Sequence, residues 1–257
     1  MSTVKISGFS DQFQNVSNTE AQESQRLQKN KIHEVVFKDI KKDVIKSKSG
    51  DEFNVLVFTM VEASDPENGK IYEDKVFEFN EKSLERTETT WKDGNTSSSP
   101  SQVEQVIYKY RIFIDNFIPK IGEAISQGKY TLKFDNWMQF ADTMIELFTK
   151  AIKKFGNPVC KLKLIDSKGY ANIPNFLSIN KQGHPYVTNN FLGNVEILKS
   201  KGKDIAFTER EITRIKAKES NTASTTDQLL GTSSDTISNE DILATEISDD
   251  DFENIGL

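Results

Sequence analysis

The sequence predicts an α+β fold, with an antiparallel, barrel-like body, two helices between its third and fourth strands, and a polar segment at each end. Three observations lead to this prediction. Segments rich in β-branched and aromatic residues, separated by turn residues, occupy positions 31–79. Two segments with helical apolar spacing follow, and alternating segments return after residue 158. The last 39 residues contain ten carboxylates and neither Lys nor Arg.

Three antiparallel strands are expected first. Residues 31–61 are typical of a hairpin, broken by a Ser-Gly-Asp turn at 49–51. The second arm of this hairpin is apolar on both faces, so we expect it to be covered on both sides. A turn at 64–69 then leads into a third strand over residues 71–79.

The helical section begins after a polar, turn-rich stretch at 80–101, which we expect to be a long mobile loop. Ser99, Pro100 and Gln102 are typical of a helix start, and Pro119 is expected to end or bend the first helix. A second helix is expected over 137–155, where large apolar residues recur every three or four positions. Gly156 and Pro158 follow it as stop signals.

Further strands are expected after the helices. Residues 159–166 alternate, which predicts three apolar side chains inward and Lys161 and Lys163 outward. Another strand is expected at about 170–179 and a hairpin at 195–207.

A short last helix should begin at Thr208, because Glu211 supplies the second half of a capping box.

The predicted element order is three meander strands, a helical section and further strands. The five-stranded oligonucleotide-binding (OB) barrel has this order, although other α+β meanders have it too. The expected organisation is a flexible arm at 1–30, one OB-like domain at 31–218, and a disordered acidic tail at 219–257. Without the tail, residues 1–218 carry a net charge of +4, against −6 for the chain.

The composition limits the possible functions. One cysteine excludes an internal disulfide and a multi-thiolate metal site, and with two histidines a structural zinc site is not expected. No nucleophile, general-base, phosphate-loop or metal motif stands out, so we expect neither catalysis nor a cofactor. A membrane span and a secretory signal are not expected either, and the protein should remain in the cytoplasm where it is made.

Basic and aromatic residues on strands indicate a groove for single-stranded nucleic acid, in which cations follow phosphates and flat side chains stack on bases. The alternative is that the aromatics form core and the lysines a solvated face. Trp91 either stacks on a bound strand or anchors its loop. The candidate nucleic-acid-binding residues are Lys38, Lys41, Lys42, Lys46, Lys48, Tyr72, Lys75, Phe77, Arg86, Trp91, Lys92, Lys161, Lys163, Lys168 and Tyr170.

The acidic end of the chain, Asp249, Asp250, Asp251 and Phe252 after a polar linker at 221–239, resembles that of bacterial and phage single-stranded DNA-binding proteins. In that family an OB-fold body precedes an acidic tip that docks on replication and repair proteins and, in several members, competes with DNA. The resemblance implies single-stranded DNA binding in replication or recombination, in a host cytoplasm if the protein is phage-encoded.

The same resemblance implies that Asp249, Asp250 and Asp251 make the electrostatic approach to partners, with Phe252, Ile255 and Leu257 as apolar anchors. A basic body tethered to an acidic tail should also bring the two together, so that DNA and tail compete. The alternative function is a non-enzymatic structural or scaffold protein of a virus particle or assembly.

Overall fold

The computed structural model describes residues 25–47, 49–90 and 96–228. Its elements in chain order are β1 (Lys31–Lys46), β2 (Glu52–Glu62), β3 (Ile71–Phe77), a 3₁₀ helix (Glu81–Leu84), β4 (Thr87–Thr90), β5 (Thr96–Ser99), α1 (Gln102–Phe117), α2 (Pro119–Ser126), α3 (Trp137–Phe155), β6 (Cys160–Ser167), β7 (Tyr170–Asn172), β8 (Leu177–Ile179), β9 (Pro185–Val187), β10 (Leu192–Asn194), α4 (Val195–Ser200) and α5 (Glu209–Gln228). None of the helices in these ranges is long and apolar enough to cross a membrane.

The main sheet is antiparallel, in the order β10-β6-β1-β2-β3, with β7 paired to the end of β6. Strand β1 belongs to both halves of it: Val35 is paired with Cys160 of β6 and with Glu62 of β2. A bulge between Phe37 and Asp39 bends β1 at this junction. The prediction of an α+β fold with an antiparallel sheet is confirmed, but the described strands do not close into a barrel.

The core lies between one face of this sheet and helices α1 and α3. Phe58 of β2 is at its centre, with ring centroids 4.6 Å from Phe113 of α1 and 4.9 Å from Phe148 of α3. Val55 and Val57, on the other face of β2, are also buried. The prediction that this strand is covered on both sides is therefore confirmed.

The helix boundaries follow local capping. Ser101, rather than Ser99, caps α1 in a capping box with Glu104, so the cap and the start of α1 each lie two residues later than predicted. Pro119 begins α2 immediately after α1 ends, as its fixed φ predicts. The 137–155 helix is confirmed over its full length as α3; it is capped by Asn136 and followed by Gly156 at φ 90°.

Several connections differ from the predictions. The expected loop at 80–101 contains the 3₁₀ helix and the β4–β5 hairpin, so the interpretation as one long loop is wrong. The expected strand at 170–179 is two short strands, β7 and β8. The hairpin expected at 195–207 is wrong, because the Asn194 side chain accepts the Ile197 N–H and starts helix α4 instead.

Both terminal segments contain structure near the body. In the segment expected to be a flexible arm, Leu27 is 3% exposed and its N–H donates to the carbonyl of Ile71. The capping box that starts α5 is confirmed by the Thr208 N–H to Glu211 and the Glu211 N–H to Thr208 hydrogen bonds. Helix α5 continues to Gln228, and the predictions for 1–24 and 229–257 lie outside the described residues.

Candidate nucleic-acid interface

The strand register divides the candidate residues of the first three strands between two faces. Lys41 and Lys75 flank Val57 directly, so these three side chains share the face opposite the core. Lys42 and Tyr72 pair with core-facing residues of β2, so their side chains lie on the core face of the sheet. The predicted set therefore does not form a single surface.

Most of these candidate cations have a partner. The nearest carboxylate oxygen to Nζ is at 2.7 Å for Lys42 (Asp142), 2.9 Å for Lys46 (Glu52), 3.5 Å for Lys75 (Glu73) and 3.9 Å for Lys41 (Asp43). Nζ of Lys38 donates instead to the carbonyl of Glu67, at 3.1 Å. Exposed pairs of this kind are weak and open readily, but each carboxylate also repels a phosphate. The first hairpin is consequently a poor anion-binding surface.

The two aromatic candidates of β3 are mostly packed. Tyr72 is 8% exposed and its hydroxyl lies 3.4 Å from Oδ1 of Asn172, and burial raises its pKa well above the usual value. The interpretation of Tyr72 as a stacking residue is wrong, because the ring fills the core. Phe77 is half-buried, in edge contact with Phe53 at a centroid distance of 6.5 Å on the face opposite the core.

The prediction that Lys163 faces solvent is wrong. It is 0% exposed, and its Nζ donates to Asn189 Oδ1 at 2.7 Å, to the Ala206 carbonyl at 2.9 Å and to Glu211 Oε2 at 2.9 Å. All three of its protons are therefore used. The alternation of β6 holds, but the segment before α5 covers the second face of this strand.

Lys161 and Arg86 are both used within the fold. Lys161 lies 2.8 Å from Asp204, whose pKa is lowered chiefly by this hydrogen bond. Arg86 makes a bidentate pair with Glu104 and donates to the carbonyl of Gly183 at 2.8 Å, which joins the β4–β5 region, α1 and the β8–β9 turn. The hydrogen bond from Arg86 is the main reason that the pKa of Glu104 lies below its usual value.

The remaining candidates lie outside the described residues. They are Lys48, Trp91, Lys92 and the tail residues Asp249, Asp250, Asp251, Phe252, Ile255 and Leu257.

A different group of cations meets at the turn between β6 and β7. We name Lys29, Asp166, Lys168, Tyr170 and Lys218 the β6–β7 turn cluster. Lys29 Nζ is 3.5 Å and Lys218 Nζ 3.4 Å from Asp166 Oδ2, and Lys29 also donates to the Gly169 carbonyl at 2.8 Å. Lys168 is exposed at the tip of the turn, and Tyr170 is 48% exposed.

The local geometry of this cluster explains its charge. Partial burial would raise the pKa of Asp166, but the Gly169 N–H and the ammonium groups of Lys29 and Lys218 hold it below its usual value. The carboxylate is thus ionised at neutral pH, and three lysines against one carboxylate leave a net charge of +2. Flexible ammonium groups around a turn, beside a half-exposed ring, are suited to bind phosphates and stack on a base.

Lys168 and Tyr170 were among the sequence candidates, whereas Lys29 and Lys218 were not. These two come from the expected arm and from the end of the expected domain, 189 residues apart in the chain. A signal was present in the charge distribution. Residues 150–218 contain fourteen Lys and Arg against five Asp and Glu, a net charge of +9. The basic surplus of the body therefore belongs to its last third.

Comparison of the chain with protein-family models, curated proteins and solved structures gives no match. Within the described ranges, no group of three or more His, Cys, Asp or Glu side chains is arranged to hold a metal ion.

Proposed function

We propose that this protein is a non-catalytic, sequence-tolerant single-stranded DNA-binding protein of replication or recombination, and that the β6–β7 turn cluster is part of its DNA contact. The observation that carries the proposal is that Lys29 and Lys218, from two distant segments of the chain, meet at Asp166 in the turn that also contains the exposed Lys168 and Tyr170. Cations that follow phosphates, next to a ring on which a base can stack, are the two parts of a sequence-tolerant site.

The strand connectivity supports an OB-like interpretation of the body. Strand β1 pairs with β2 and β6, the helices lie between β3 and β6 in the chain, and β7 returns from β6 as a fifth strand. The hydroxyl of Tyr72 on β3 and the side chain of Asn172 on β7 are 3.4 Å apart, so the two ends of this curled sheet approach each other. In OB-folds the loop between strands four and five contributes to oligonucleotide binding, and the β6–β7 turn corresponds to that loop.

The experiment is a titration of full-length protein with fluorescent oligo-dT at about 50 mM and about 200 mM salt, because phosphate contacts make affinity salt-dependent. We compare the wild type with K168N and Y170S. Lys168 has φ 48°, a left-handed conformation that Asn tolerates, so K168N removes the charge without straining the turn. K133Q is the matched control, since Lys133 is exposed in the connection between α2 and α3.

K168N should reduce the salt slope by about 0.7, the value for one phosphate contact on a single strand. Y170S should weaken binding about tenfold, as expected from the loss of one stacked base. If the wild type fails to bind oligo-dT at micromolar concentration in low salt, the proposed function is wrong. If the wild type binds but both variants behave like K133Q, the DNA contact lies elsewhere on the body.

A structural or scaffold protein of a virus assembly is the second candidate. The observation that favours it is the pairing of Lys42 and Lys46 with carboxylates, which leaves the first hairpin with little affinity for anions. Under this alternative, light scattering should reveal assembly as the protein concentration rises, and oligo-dT should not change it.

A further inference from the structure

A second feature with an excess of positive charge lies on the helical side of the molecule. A groove of about 350 Å³ is formed between α2, the connection after it, and α3 from Thr143 to its end at Phe155. Its floor is apolar, and its walls carry two exposed aromatic rings, Tyr130 at 41% and Phe155 at 38% exposure. The apolar floor residues are Ile121, Leu147 and Ala151.

The rim of this groove is cationic. Nζ of Lys120 lies 4.9 Å from the centroid of the Phe155 ring, and Nζ of Lys154 lies 5.2 Å from it. Lys150 also lines the groove and pairs with Glu146, the one carboxylate among the lining residues. Lys150 and Lys154 against Glu146 leave a net charge of +1 among the lining residues, and Lys120 at the Phe155 ring adds a further positive charge beside them.

We propose that this groove binds the acidic segment 249–257 of the same chain, with the apolar side chain of Phe252 on the floor and Asp249, Asp250 and Asp251 at the lysines of the rim. The residue types of the segment match the groove: three consecutive carboxylates are followed by an aromatic and, further on, by Ile255 and Leu257. A groove with both an apolar floor and a cationic rim selects for a peptide that has both features.

The chain is long enough for this contact. Twenty residues separate the end of α5 at Gln228 from Asp249. A flexible chain of that length has a root-mean-square span of about 25 Å and a fully extended limit of about 70 Å. A body of this size has a radius of gyration of about 16 Å, so any point of its surface is within reach.

The same geometry favours a peptide over a nucleic acid in this groove. A base needs an open ring face on which to stack. The Phe155 ring is instead in cation–π contact with the ammonium groups of Lys120 and Lys154. Those ammonium groups are already positioned to pair with carboxylates at the edge of the groove. The proposal does not depend on DNA binding, and it places the acidic segment in a groove that shares no residue with the β6–β7 turn cluster.

The test uses intramolecular cross-linking in the full chain. Cys160 is fully buried, and burial raises the pKa of its thiol, so a cysteine introduced as S248C is the only accessible thiol for a benzophenone label among the cysteines of this sequence. After irradiation at low salt, mass spectrometry should locate cross-links within 120–155 of the same molecule. In a K120Q/K154Q background their yield should fall about fivefold, as expected for the loss of two exposed ion pairs. The control background is K82Q/K181Q, two exposed lysines on other parts of the surface.

A second variant changes only the acidic segment: D249N/D250N/D251N should reduce the same cross-links and leave the body unaltered. Saturating oligo-dT should leave the yield unchanged, because the groove and the turn cluster share no residue; this differs from the competition between DNA and tail that the charge of the sequence predicts. Four outcomes would overturn the proposal: cross-links centred on the β6–β7 turn, cross-links between molecules that rise with protein concentration, equal losses in the K82Q/K181Q control, or cross-links spread over the whole surface.

Discussion

Replacement of Lys163 by methionine should destabilise the protein severely, although the sequence pattern of β6 assigns this side chain to solvent. Methionine has nearly the same length and fills the same space, so packing changes little. What is lost is the ammonium group and its hydrogen bonds to Asn189, Ala206 and Glu211. Glu211, which is 9% exposed, then keeps its charge without a cation.

The magnitude follows from this burial. Removal of one partner from a buried ion pair costs about 3–5 kcal/mol, because the other charge stays desolvated. For a protein of this size each kcal/mol shifts the midpoint of thermal unfolding by about 2–4 °C, so K163M should melt about 10 °C below the wild type. Urea unfolding monitored by circular dichroism measures the free energy, and a thermal scan measures the midpoint.

A double-mutant cycle separates the ion pair from simple packing. E211Q removes the charge and replaces the oxygen that accepts from Asn189 by an amide NH2, while its remaining oxygen still accepts the Thr208 N–H. K163M/E211Q should lose less stability than the sum of the two single variants, by about 2 kcal/mol, because neither charge is then left unpaired. A loss below about 1 kcal/mol for K163M, or additive losses in the cycle, would refute the reasoning. Lys163 would then behave as a solvated surface lysine.

Three further predictions concern stability and accessibility. Burial alone would raise the pKa of Glu211, but the hydrogen bonds that its carboxylate accepts from Thr208, Lys163 and Asn189 hold that pKa below the usual value. The ionised Glu211 therefore stabilises the fold above its unfolded pKa of about 4.3, and this stabilisation is lost as the pH falls through the folded pKa. Urea unfolding at about pH 6 and about pH 3 should show a larger loss for the wild type than for E211Q, and equal losses would contradict this. G122A should lower the free energy of unfolding by about 1–3 kcal/mol, because a Cβ there would lie 2.3 Å from Oδ1 and 3.0 Å from Cα of Asp115; unchanged urea unfolding would show that α1 and α2 separate freely. Cys160 should not react with a thiol reagent in the native protein and should react once urea unfolds it, whereas rapid native reaction would show that β6 opens locally.

The predictions that proved right depend on local signals. The periodicity of α3 and the capping box of Thr208 with Glu211 are each contained within a few residues, so no distant contact is needed to recognise them. The burial of β2 on both faces is likewise predicted by the apolar residues of that strand alone.

The errors have a common physical cause in contacts that are distant in sequence. Alternation predicts the parity of Lys163 correctly, but it says nothing about which segment covers that face of β6. The tip of the candidate site, Lys168, was recognisable from its turn, whereas Lys29 and Lys218 reach the turn through contacts that are distant in sequence, with Asp166 and Gly169. A site assembled from three segments has no spacing that a single sequence can reveal.

The distribution of charge gives a reason why an anionic partner should approach the last third of the body. Residues 31–149 contain 16 Lys and Arg against 21 Asp and Glu, so a lysine of the first hairpin finds carboxylates such as Asp142 and Glu52 nearby. Residues 150–218, at +9, have too few carboxylates to pair their cations in this way. Lys168 and Lys218 at the β6–β7 turn, and Lys150 and Lys154 near the end of α3, belong to this surplus. Both proposed contacts, with DNA and with the acidic segment, include lysines of this surplus. Because salt screens exposed charges, the affinity of both contacts should fall as the salt concentration rises.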